Sequence, residues 1–107
     1  TMTNREFKAS FGSMAGSWRG KKPLQRNAII ALANLNDTSA VPKLLEVIEK
    51  DPRPLIRATA AYAVGRLSQS GNIAIVDFLR AAYETERDGG TDAQLLQEYV
   101  RAIDRIS

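Results

Sequence analysis

The sequence predicts an all-α fold, an α-α superhelix in which about two and a half helix pairs stack on one another. Three observations predict it. Apolar residues recur at the three- and four-residue spacing of a helix face, and they do not alternate as a half-buried strand requires. The breaks between those stretches, at Asn36-Asp37-Thr38, Asp51-Pro52-Arg53-Pro54, Gly71-Asn72 and Gly89-Gly90, hold residues that stop or start helices. The pattern also repeats: Ala31-Leu32-Ala33-Asn34-Leu35 matches Ala63-Val64-Gly65-Arg66-Leu67 at an offset of 32, and Leu44-Leu45 matches Phe78-Leu79 at an offset of 34.

The first helix is predicted over residues 23–35, with Leu24, Ala28, Ala31, Leu32 and Leu35 on its inward face. The next takes Ser39 as N-cap. That choice places Pro42 at the third helical position, where a missing N–H has no intrahelical partner to lose. Its buried stripe is Val41, Leu44, Leu45 and Ile48. Asp51 is the expected cap of a third helix running to about Ser68, with Pro52 and Pro54 in its first turn and Ile56, Ala60, Ala63, Val64 and Leu67 inward. A fourth follows Gly71-Asn72, turns Ile75, Phe78, Leu79, Ala82 and Tyr83 inward, and ends in a solvated run over residues 84–88. Thr91 with Gln94 three residues on forms a capping-box pattern for the last helix, whose apolar stripe is Leu95, Leu96, Tyr99, Ile103 and Ile106.

Each helix pair cannot bury its apolar face alone, so the pairs must stack, each lending a face to the next. A unit of 30 to 35 residues with small alanines at the helix contacts and an Asp-Pro turn resembles HEAT-like repeats. Residues 23–107 form this helical repeat domain, and residues 1–22 a basic, glycine-rich lead-in.

Composition excludes several kinds of chemistry. The 107 residues contain no cysteine and no histidine, which removes thiol nucleophiles, iron–sulfur and zinc sites of the usual ligand types, and imidazole acid–base catalysis. The carboxylates Asp77, Glu84, Glu86 and Asp88 have no partner that makes them an acid–base pair or a metal site, and they read as a solvated face. The chain by itself is therefore expected to be no enzyme, and to hold no catalytic, cofactor or metal site. Lack of cysteine fits a reducing compartment. With no apolar run near the roughly 18 to 20 residues that span a bilayer, a soluble, cytoplasmic, monomeric protein without membrane contact is expected. The start at Thr1 suggests a piece of something longer.

Charge is unevenly placed. Residues 1–27 hold Arg5, Lys8, Arg19, Lys21, Lys22 and Arg26 against Glu6 alone, a local +5, whereas residues 71–107 hold four arginines against seven carboxylates, a local −3. The basic end suggests an anionic partner. Within it, residues 11–28 read FGSMAGSWRGKKPLQRNA. Gly12, Gly16 and Gly20 let backbone approach a partner, Trp18 offers a flat face, Ser13 and Ser17 add hydroxyls, and Arg19, Lys21, Lys22 and Arg26 can pair with phosphate. Two readings stand: a nucleic-acid backbone contact leading into the first helix, or a solvated connection with Trp18 as a packing residue.

Phe11-Gly12-Ser13, then Arg19, Lys21 and Lys22, then Gln25-Arg26-Asn27-Ala28, Ala31-Leu32-Ala33-Asn34 and Ala40-Val41-Pro42 resemble the C-terminal HEAT-like portion of epoxyqueuosine reductase. Pro54-Leu55-Ile56-Arg57 and residues 60–67 (AAYAVGRL) continue the likeness; beyond residue 68 it is only that of a helical repeat. The resemblance implies the last step of queuosine synthesis, reduction of an epoxide on a modified base of the tRNA anticodon loop, with cobalamin and two 4Fe-4S clusters. Cluster cysteines and the cobalamin domain of that family lie upstream, and nothing in this chain corresponds to them. What carries over is tRNA binding, positioning the anticodon stem-loop for the upstream catalytic domain. The implied contacts are Ser13, Arg19, Lys21, Lys22, Arg26 and Asn27, extended by Arg53 and Arg57 if both helix starts share one edge of the solenoid. Arg57 has a second reading, as an internal ladder residue bonded to neighbouring carbonyls. The other functional reading is a protein–protein interaction scaffold.

Overall fold

The computed structural model describes residues 24–107. These form five α-helices and one 3-10 turn: α1 (Arg26–Asn34), the turn Thr38–Ala40, α2 (Val41–Lys50), α3 (Pro54–Leu67), α4 (Ile73–Asp88) and α5 (Ala93–Ile106). No strand occurs among the described residues, so the all-α superhelix expected from the pattern is what forms. The lead-in over residues 1–22 and the start of the first helix at Pro23 lie outside the described residues.

Helix α3 is the centre of the stack. It packs against α1, α2 and α5, and α5 packs in turn against α4. Three neighbours leave little of α3 in solvent: Ile56, Ala58, Thr59, Ala60, Ala61, Ala63, Val64, Gly65 and Leu67 are all buried. Small residues make this possible, because a helix with partners on several sides needs short side chains where backbones approach. At one point the approach is close enough to exclude a methyl group, since a Cβ built on Gly65 would lie 2.8 Å from both Cα and Cβ of Ala102 on α5.

The wider core is Ile29 and Ala33 of α1, Leu44, Val47 and Ile48 of α2, Val76 and Leu79 of α4, and Tyr99, Ala102 and Ile106 of α5. The repeat is visible in this list. Ala33 and Gly65, paired by the sequence repeat, are both buried small residues on stacked helices. Burial moves the other match by one residue, since the fully buried Leu44 corresponds to the fully buried Leu79, while Phe78 is half-buried.

Several local expectations are corrected. The inward face of α1 is Ile29 and Ala33, with Leu32 half-buried, whereas Ala28, Ala31 and Leu35 are exposed; Leu35 is 77% exposed. Among the described residues α3 is the main neighbour of this helix, and its short length lets a rotated face still satisfy a three–four spacing. Ser39 is not an N-cap: a 3-10 turn already covers it, and its hydroxyl donates to the Asp37 carboxylate rather than accepting from a backbone N–H. Asp51 is not the N-cap of α3 either. Arg53 holds that position, Pro54 alone opens the helix, and Asp51 Oδ1 instead accepts from the Arg53 backbone N–H at 2.9 Å. In α5 the cap is Asp92, whose Oδ1 accepts from Gln94 N–H at 2.8 Å, while the Thr91 hydroxyl turns to Glu86.

Candidate nucleic-acid interface

Of the expected contact residues, Ser13, Arg19, Lys21 and Lys22 lie outside the described residues, and Arg26, Asn27, Arg53 and Arg57 lie within them. Arg26 and Asn27 form the exposed first turn of α1. Gln25, the residue before that turn, offers no side-chain cap, and the turn contains no acidic residue. Among the described residues no side chain caps its N–H groups, and a helix start next to an exposed arginine favours an anion.

Arg53 links the two helix starts. Its guanidinium donates to the carbonyl of Leu24, just before α1, at 3.0 Å, and to both Asp51 oxygens at 3.0 and 2.8 Å. The start of α1 and the start of α3 therefore share an edge. Arg53 remains about one-third exposed there, with Asp51 taking up much of its charge.

One turn on, Arg57 points into the stack. It donates to the Asp51 carbonyl at 2.8 Å and forms a two-pronged pair with Glu86 of α4, at 2.5 and 2.9 Å. Glu86 also accepts from the Thr91 hydroxyl at 2.6 Å and the Tyr99 hydroxyl at 3.1 Å. The carbonyl bond is that of a ladder residue, as the second reading of Arg57 held. Glu86 is only 6% exposed, so its assignment to a solvated face is overturned. The signal was present in the sequence, because Glu86 continues the inward stripe three residues after Tyr83 and seven after Leu79. A residue whose partner lies on another helix looks solvated when only its neighbours in sequence are considered.

The network perturbs its members in a consistent direction. Burial pulls the Glu86 carboxyl upward, but hydrogen bonds from Arg57, Thr91 and Tyr99 and the charge of Arg57 outweigh it and leave it below the ordinary carboxylate value. Burial and then the charge of Glu86 push the Tyr99 phenol up, so it stays a neutral donor. The Asp51 carboxyl is lowered against burial by Arg53 and Arg57. These are fixed charges of a structural joint.

A separate cluster was not anticipated. Tyr62 of α3 and Glu98, Arg101, Ala102 and Arg105 of α5 line an open cavity of about 180 Å³ beside the Gly65–Ala102 contact. Arg66 donates to the Tyr62 hydroxyl at 2.9 Å.

Iron–sulfur clusters do not fit the residues of this chain. It has no cysteine to ligate iron and no histidine, and among the described residues no group of three or more acidic residues could hold a metal ion. No described helix is long and apolar enough to cross a membrane.

Comparison with known proteins agrees with this geometry. Residues 19–99 match the family of HEAT repeats. Over 87 residues the chain is 55% identical to the epoxyqueuosine reductase of Bacillus subtilis (strain 168), covering 81% of this chain and 22% of that protein. With the epoxyqueuosine reductase of Bacillus anthracis it shares 43% identity over 107 residues, 100% of this chain and 26% of the relative. A crystal structure of epoxyqueuosine reductase with an epoxyqueuosine-modified tRNA-Tyr stem loop superposes with a TM-score of 0.65 at 47% identity, covering 99% of this chain and 26% of that one. The chain thus spans about a quarter of the length of the reductases it matches. Helix pairing, the repeated small-residue contacts and the family match lead to one assignment: this chain belongs to the HEAT-repeat family, in the form carried by epoxyqueuosine reductases.

Proposed function

We propose that this chain is the tRNA-binding HEAT-like part of an epoxyqueuosine reductase-type enzyme, holding the anticodon stem-loop for a catalytic domain elsewhere in a longer cytoplasmic protein. The observation that carries this reading is the near-complete alignment, at 47% identity, with a reductase crystallised with a tRNA stem loop. The chain's own chemistry supports it. A lead-in of net charge +4 runs into the acid-free first turn of α1, to which Arg26 adds a further positive charge, so phosphate would meet lysine and arginine charge together with the positive end of the helix. In this reading Ser13, Arg19, Lys21, Lys22, Arg26 and Asn27 make the phosphate contacts, and Arg53 flanks them from the adjoining helix start. Arg57 contributes by holding that edge in place. The cobalamin and the two 4Fe-4S clusters belong to the rest of the longer protein, which performs the reduction.

Salt-dependent binding of a tRNA anticodon stem-loop tests it. Affinity should fall with salt by about 0.7 to 0.9 log units per log unit for each phosphate neutralised. Replacing Arg19, Lys21 and Lys22 together with alanine should lower that slope by about 2. Unchanged binding in the triple variant sinks the lead-in assignment, and no RNA binding by the parent chain at low salt favours a protein–protein scaffold.

A further inference from the structure

We infer that Arg53 is a positioning residue for the RNA-binding start of α1, a clamp that fixes how α1 is entered and not itself a phosphate contact. It rests on the tRNA-binding reading above and assigns one residue of that edge its part. The donors of Arg53 are already committed. Its Nε donates to Asp51 Oδ1 at 3.0 Å, and its Nη2 donates to Asp51 Oδ2 at 2.8 Å and to the Leu24 carbonyl at 3.0 Å. A guanidinium grips a phosphate two-pronged along its Nε–Nη2 side or its Nη1–Nη2 end, and both grips need Nη2, whose two hydrogens are taken. The anchor is held in turn. The Asp51 side chain is 6% exposed, its Oδ1 also accepts from the Arg53 backbone N–H at 2.9 Å, and its carbonyl accepts from Arg57 at 2.8 Å while Glu86 grips Arg57 from the other side. Phosphate would have to displace this enclosed, ionised carboxylate to reach the same donors.

What the clamp holds is the junction into α1. Leu24 stands two residues before Arg26, the first helical residue, and Gln25 between them is extended and offers no side-chain cap. Arg26 and Asn27 follow at once and are exposed. Groups on either side of a loose joint must be ordered when RNA binds, and a joint fixed beforehand avoids that cost. A lysine at position 53 would keep the charge, but one ammonium cannot stand in for a planar fork that reaches two carboxylate oxygens and a carbonyl together.

The test measures binding of a tRNA anticodon stem-loop across salt for the 107-residue chain, Arg53→Lys and Arg53→Gln, well below the lowest melting temperature of the set. Asn72→Ala, at the start of α4, controls for lost stability alone. Both Arg53 variants should bind about three- to tenfold more weakly, with a salt slope within roughly 0.3 of the parent, because no phosphate contact is lost. Asn72→Ala should bind as the parent does; equal weakening there overturns the inference. Parent-like binding by Arg53→Lys, with a slope lower by about 0.7 to 0.9 in Arg53→Gln, identifies a phosphate contact and overturns it, as does parent-like binding by both. NMR of the free chain supplies a readout that needs no RNA: the Gln25, Arg26 and Asn27 amides should move in Arg53→Lys while those of Arg101 and Arg105 stay, and unmoved Gln25–Asn27 amides overturn the clamp. If the parent binds and the Arg19/Lys21/Lys22 variant loses slope while Arg53→Lys is unaffected, the tRNA reading stands without the clamp. Absence of RNA binding by the parent at low salt overturns both.

Discussion

Arg57 and Glu86 lie 29 residues apart and meet in a two-pronged ion pair that fastens the start of α3 to the end of α4. The pair is mostly out of water, and Thr91 and Tyr99 supply further donors to the same carboxylate. Removing one partner strands the other. Arg57→Met should therefore cost about 3 kcal/mol, near the lower end for a broken buried pair, because Glu86 is left with hydroxyl donors alone. Arg57→Met/Glu86→Leu should recover a good part of that loss. Urea denaturation of the two single variants and the double variant checks this, and additive losses would show that the residues are not coupled.

Acid should weaken the fold through the same joint. Glu86 and Asp51 both sit below their ordinary values of 4.5 and 3.8, despite burial, because arginine and hydroxyl donors favour the charged form. Between its folded and unfolded pKa values, such a carboxylate binds more protons in the unfolded chain. Its stabilisation is fully present above the ordinary value and is lost as pH falls through the lower folded value. The urea midpoint should thus decline from about pH 5 downward, and more shallowly in Glu86→Gln. An equal decline in both would remove Glu86 from the account.

Gly65 sets the spacing of α3 and α5. Alanine is the better helix former by about 1 kcal/mol, yet its Cβ would meet backbone and side chain of Ala102 at 2.8 Å. Backbone cannot swing aside as a flexible side chain can, so the clash should win. Gly65→Ala is expected to destabilise by about 1 to 3 kcal/mol net, and Ala102→Gly to rescue it partly. A rise in melting temperature for Gly65→Ala would refute this packing.

Caps give a sharper comparison. Asn72 accepts from Ile75 N–H at 3.2 Å at the start of α4, so Asn72→Ala should cost about 1 kcal/mol. Ser39→Ala should cost less, since that hydroxyl caps nothing. Thr91→Ala should act through Glu86 instead, so its loss should shrink in a Glu86→Leu background. Chemical denaturation at pH 7 distinguishes the three.

Among the described residues, helix order and most boundaries were legible because each rests on local chemistry: proline at Pro54, glycine at Gly71 and Gly90 with positive φ, and three–four apolar spacing. What local spacing cannot carry is choice among equivalent partners. Ser39, Asp51 and Thr91 are all competent caps, and each is drawn to another group, Asp37, Arg53 or Glu86, that the fold or a neighbouring turn places nearer. The rotated face of α1 and the burial of Glu86 were missed for a related reason, since both depend on where a second helix lies. On the candidate site, charge placement pointed to Arg26 and the family resemblance added Asn27; both are exposed, and the start of α3 adjoins the start of α1. The meeting of Tyr62 with Arg101 and Arg105 was invisible because it joins α3 to α5, helices that sequence order keeps apart.

The bond from Arg53 to the carbonyl of Leu24 has one more consequence. Helical repeats are often treated as interchangeable bricks that can be shuffled, duplicated or replaced by a consensus. Here the second brick holds the doorway of the first, by a side chain that reaches back rather than by the shared apolar wall. Exchanging the second unit for a consensus copy without an arginine at this place should keep the stack folded, yet leave the approach to α1 unfastened.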